Sequence, residues 1–65
     1  MIIPKKHIHY LTFLHNGIWY KITANPSDRS VYSLYKPVSG KDYELLGTGN
    51  NPLNLEEKVY TGKYK

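Results

Sequence analysis

The chain has 65 residues and a mass of 7.6 kDa, room for one domain that buries only roughly 60% of the surface its unfolded form exposes. It contains no cysteine, which excludes disulfide scaffolds, thiol catalysis, iron–sulfur clusters and cysteine-based zinc sites. Its 40% hydrophobic and 22% charged residues fit a folded soluble domain, and its formal charge of +4, with a pI of about 9.4, favours anionic partners.

The opening Met1-Ile2-Ile3-Pro4-Lys5-Lys6 places lysines where a signal peptide needs a long apolar run, so a cytoplasmic location is expected. No segment nears the roughly 18 apolar residues of a membrane span, and no membrane partner is expected. Asn16-Gly17 is the sharpest local signal: both residues accept a positive φ, and they separate two runs of strand formers. Strands over 7–15 and 18–24 joined by a two-residue type I′ turn follow. That register sets Phe13 against Tyr20 and Leu11 against Ile22 on one face. Leu14 meets Trp19, Thr12 meets Lys21 and Tyr10 meets Thr23 on the other.

Asn25-Pro26-Ser27-Asp28 breaks the pattern, and a three-residue loop over 26–28 brings Ile22 opposite Tyr32 and Tyr20 opposite Leu34. A third strand over 30–36 follows, Pro37-Val38-Ser39-Gly40 reads as a turn, and a fourth strand over 42–46 returns with Leu34 against Tyr43 and Tyr32 against Leu45. Asn51-Pro52 then reads as an N-cap with proline at the first helical position, ahead of Leu53, Leu55, Val59 and Tyr60. The expected fold is mainly β: a four-stranded antiparallel meander sheet with a short C-terminal helix over 52–60 packed on one face. A fifth strand over 58–63 is the alternative for the last segment.

The face away from that helix would carry Tyr10, Leu14, Trp19, Lys21 and Tyr35, with Trp19 between Leu14 and Tyr35. Flat rings beside ammonium groups suit single-stranded bases, which stack while lysines hold phosphate. The same residue types also anchor protein interfaces, or simply stabilise a small sheet through cross-strand pairs. Residues 1–27 include Lys5, Lys6, Lys21 and three histidines but no carboxylate, so positive charge gathers in that half. The expected binding residues are therefore Tyr10, Trp19, Lys21, Tyr35, Lys5 and Lys6.

His7 and His9 share one side of a strand about 7 Å apart, and His15 has the same parity but lies about 20 Å farther along. The three cannot meet on one ion, and no metal or cofactor is expected. No serine sits in a nucleophile motif, Asp42 and Glu44 lie near lysines, and Gly47-Thr48-Gly49 lacks the lysine and helix start of a phosphate loop. No catalytic residue is expected. Three strands followed by a short helix, with Trp19-Tyr20 in an early strand, are similar in outline to the small DNA-binding arm domains of tyrosine integrases over residues 17–60. The base-reading arginines of those domains are missing and an added first strand departs from their pattern, so the outline assigns no family. The expected function is a small basic non-enzymatic binding module for nucleic acid. The alternative is a protein-interaction module or small inhibitor that meets an acidic partner through the same face or a sheet edge.

Overall fold

The computed structural model describes residues 3–64. Strands β1 (Ile8–His15), β2 (Ile18–Ala24), β3 (Tyr32–Ser39) and β4 (Asp42–Gly49) form one antiparallel sheet in meander order, and helix α1 (Pro52–Tyr60) follows. Asn16 and Gly17 have φ of 52° and 77°, which is the type I′ geometry the dipeptide predicts. From that turn the expected pairs hold as far as Leu11 opposite Ile22. There a β-bulge intervenes: His9 pairs with Thr23 and Ile8 with Ala24, leaving Tyr10 as the extra residue. The bulge resets the alternation, so Tyr10 points to the helix side, its ring 5.1 Å from that of Tyr32. Tyr10 does not face Thr23, and His15 lies on the opposite face from His7 and His9.

The β2–β3 connection is longer than three residues. Asn25 accepts from Ser27 and Asp28 from Ser30, two side-chain turns stacked inside a loop closed by the Asn25 amide on the Val31 carbonyl at 2.9 Å. The Ser30 hydroxyl, with its amide, holds the Asp28 carboxyl below the usual carboxylate range. Ile22 consequently pairs with Leu34 rather than Tyr32, and Tyr32 meets Ala24. A shift of two residues keeps every side chain on its face.

The β3–β4 turn departs further from expectation. Pro37 and Val38 continue the strand, and the turn is Gly40-Lys41, with Gly40 at φ 54°. A positive φ at the first central position alone is the mark of type II′. Pro37 is tolerated because the β2–β3 ladder ends at Lys21 opposite Tyr35, so no amide is needed there for β2. Lys36 pairs with Glu44 and Pro37 with Tyr43, a register three residues from that expected. The turn alone moves the register by four, and an irregularity at Val38, between Pro37 and Ser39, takes one back. The resulting odd shift exchanges the faces, so Tyr43 and Leu45 lie away from the helix, while the bulged Leu46 packs on the core.

The core lies between the sheet and α1. Ile22, Leu34 and Leu55 are fully buried, and Val59, Phe13 and Tyr20 pack around them, the last two rings stacked at 5.3 Å. The Asn51 side chain accepts from the Leu53 amide at 3.0 Å and Pro52 occupies the first turn. The helix ends in a Schellman motif: Gly62, at φ 78°, donates to the Val59 carbonyl and Lys63 to that of Lys58. Residues 58–63 are therefore not a strand. Beyond the motif Tyr64 returns to the sheet at Gly47, where a Cβ would lie 2.6 Å from the Tyr64 hydroxyl, so a larger residue there would push the end of the Tyr64 ring aside. Among the described residues no helix is long and apolar enough to cross a membrane.

Asn51→Ala is expected to lower stability by about 1 kcal/mol, the usual loss when a side-chain cap is removed. Urea denaturation at equilibrium measures it. An unchanged midpoint would show that Pro52 and docking alone fix the start of α1.

Candidate functional site

The sheet face opposite α1 is partly covered by the chain itself. Residues 3–7 form a strap that turns back through a bond from the His7 amide to the Pro4 carbonyl at 3.0 Å. His7 pegs this strap to the sheet: its Nδ1 lies 3.1 Å from Thr23 Oγ1 and its ring stands edge-on to Tyr35 at 6.4 Å. Thr23, Ser33 and Tyr35 are consequently buried although they face away from the core, Tyr35 being only 3% exposed. Lys21, paired with Tyr35, carries its ammonium to 5.2 Å from the centroid of the Tyr43 ring, close enough for the ring face to attract the charge.

Strap, β2 and the β3–β4 turn enclose a cleft of about 420 Å³. Its charged lining is Lys5 from the strap, Lys21 from β2 and Lys41 from the turn, joined by His7, His9 and the Tyr43 ring, with no carboxylate among the described lining residues. His9 is oriented by Thr12, whose Oγ1 lies 2.6 Å from its Nε2. Three lysines on three different elements line one concavity. Such an arrangement raises the local concentration of anions and suits phosphate oxygens.

Of the six residues expected to bind, the structure brings together Lys5 and Lys21. Lys6 is exposed beside Lys5 on the strap but outside the cleft lining. Trp19 is 57% exposed on the same face, next to the half-exposed Leu14 with which it pairs. Tyr35 lies beneath His7 and cannot offer a stacking surface, and Tyr10 lies on the helix side beside Tyr32. Sequence reasoning missed Lys41 and Tyr43. Gly40 was the signal for the turn that carries Lys41, but Tyr43 reaches this face only because the register slips by one residue at Val38, between Pro37 opposite Tyr43 and Ser39 opposite Asp42, which nothing in the sequence marks. The shared side of His7 and His9 was legible, and both line the cleft. Two imidazoles do not complete a structural zinc site, and no cluster of three or more potential ligands occurs among the described residues.

A second cleft, of about 400 Å³, opens on the helix side between His15, Tyr20, Lys36, Tyr60 and the Schellman loop. It holds one lysine, and the Tyr60 hydroxyl on its rim donates to Glu56 at 2.8 Å. A polyanion finds far less positive charge there than on the other face.

Comparison with known proteins finds no matching family model, no matching curated protein and no matching solved structure.

Burial raises the Tyr35 hydroxyl above the ordinary tyrosine value, with a Ser33 hydrogen bond partly opposing the shift. A group raised on folding contributes stability that is intact below the unfolded value, about 10, and lost as pH rises through the folded value. Tyr35→Phe is therefore expected to lose less stability than the parent chain as pH rises above about 10. Denaturant titrations across that range test it. Parallel losses in both chains would mean that the hydroxyl is hydrated.

Proposed function

We propose that the chain is a small basic non-enzymatic binding module for single-stranded nucleic acid, with Lys5, Lys21 and Lys41 holding phosphate and Trp19 stacking on a base. The observation that carries this reading is the convergence of those three lysines on one cleft, beside the open face that carries Trp19. Phosphate contacts supply affinity and are tolerant of sequence, while stacking on an exposed ring needs an unpaired base and so favours a single strand over a duplex. Tyr10 and Tyr35 have no part in it.

The chain has one tryptophan, so its fluorescence reports on Trp19 alone. Titration with oligothymidylate is expected to quench that fluorescence, and the logarithm of the binding constant is expected to fall with the logarithm of salt concentration with a slope of about −2, from about −0.7 per neutralised phosphate on a single strand. Quenching that ignores salt, or none at low salt, would overturn the reading.

A protein partner is the second reading, and the exposure of Leu14, Trp19 and Leu45 on the face away from α1 favours it. Such a partner would be acidic and would meet that face. Sheet-edge pairing is a poorer route, because β1 is bulged at Tyr10 and β4 at Leu46, and bulges turn an edge away from a new strand.

A further inference from the structure

We infer that the cleft takes the phosphomonoester at the end of a nucleic-acid strand in preference to an internal phosphodiester. This inference rests on the nucleic-acid reading and adds which part of the strand the cleft holds.

The argument is one of charge and donor count. An internal phosphodiester carries a single negative charge on two free oxygens. A terminal monoester carries about −1.5 to −2 near neutral pH on three strong acceptor oxygens. The cleft offers three lysines, each a compact point charge with three rotatable donors, from three separate elements. One diester opposes only one of those charges and leaves the others to neighbouring phosphates along the strand, whereas a single monoester neutralises about two of the three and offers an oxygen to each lysine. Lys21 is the best placed, because the Tyr43 ring beneath its ammonium and the sheet along its stem restrict where the charge can sit. Lys5 lines the cleft from the strap and Lys41 from the β3–β4 turn, so the three lysines reach it from separate parts of the chain. Asp42, next to Lys41, is the first residue of β4 and is not among the cleft residues.

The surroundings suit a strand end as well. Trp19 is two residues from Lys21 on the same strand and on the same face, about 7 Å away by the strand rise. A phosphate at Lys21 therefore puts the first base within reach of the indole, and the strand then leaves over the exposed Trp19 and Leu14.

The test is a titration of the full chain, read by Trp19 fluorescence and by backbone amide shifts of Gly40 and Lys41, with four probes. Three are short oligothymidylates bearing a 5′-phosphate, a 3′-phosphate or hydroxyls at both ends, and the fourth is inorganic phosphate. One of the phosphorylated strands is expected to bind about tenfold more tightly than the hydroxyl-ended strand, the worth of one further charge-assisted hydrogen bond. Lys41→Ala, at an exposed turn position, is expected to weaken the phosphorylated strand about tenfold more than the hydroxyl-ended strand, which it also weakens, so that the difference between them is erased. Equal affinity for all three strands overturns the inference and leaves the nucleic-acid reading standing. Inorganic phosphate binding as tightly as the phosphorylated strand overturns the strand end as the ligand. Failure of every oligonucleotide to quench Trp19 overturns the inference together with the reading beneath it.

Discussion

Leu55→Ala is expected to cost about 3 kcal/mol, within the range for emptying a fully buried leucine site. Leu55 is 1% exposed and touches the cluster that includes Ile22, Leu34 and Val59. A chain of this length has about 3–10 kcal/mol of total stability at the usual value per residue, so this one change removes a large part of it. The consequence extends past the cavity. A helix of nine residues does not persist in water unless it is docked, and the Schellman loop and Tyr64 follow it onto the sheet. Loosening Leu55 therefore uncovers the sheet face as well. Denaturant melts by circular dichroism, with Leu53→Ala as control, measure the effect. Leu53 is 64% exposed, and its replacement is expected to change stability by no more than about 0.5 kcal/mol. Equal losses for the two variants would show that α1 is not anchored through Leu55.

The parts of this fold legible in the sequence are those whose conformation only a few residues can adopt. Asn16-Gly17 specifies a turn with two positive φ angles, and Asn51-Pro52 specifies the start of a helix, and both elements form as read. The second hairpin was misread because Pro37 is as common in turns as on strand edges, and it hid the stronger claim of Gly40. Pro37 sits in β3 where the strand has already parted from β2. That three-residue difference turned Tyr43 and Leu45 to the other face, whereas the two-residue difference at the preceding loop moved nothing across the sheet.

The site was less legible than the fold for a related reason. Alternation assumes unbroken pairing, and the bulge at Tyr10 breaks it without any glycine or proline to mark the place. Tyr10 consequently left the expected binding face. Tyr35 stayed on it but became buried, because His7 lies over it and a strap of five residues has no periodicity to announce where it folds. Lys5 and Lys21 were found by their charge, yet Lys41 joins the cleft through the position of a turn and Tyr43 through the one-residue register slip at Val38.

Trp19→Ala is expected to leave the fold unchanged and to weaken single-strand binding by about 1–3 kcal/mol, the measured worth of stacking one base on an aromatic ring. The indole is more than half exposed and belongs to no core cluster, so truncation opens no cavity. Lys21→Gln is expected to act differently. It keeps the first two methylenes of the stem on the sheet beside Tyr35 but removes the charge over Tyr43, so it should weaken binding to every base sequence alike and make the salt slope about 0.7 shallower. Fluorescence anisotropy with a labelled oligonucleotide measures both variants without relying on the tryptophan. The distinction lies in the salt series: loss of Trp19 lowers the line without tilting it, and loss of Lys21 tilts it. If Trp19→Ala unfolds the chain, the indole has a packing role. If Lys21→Gln keeps the parent slope, the cleft does not hold the phosphate, and the exposed apolar residues around Trp19 become the surface on which to seek a protein partner.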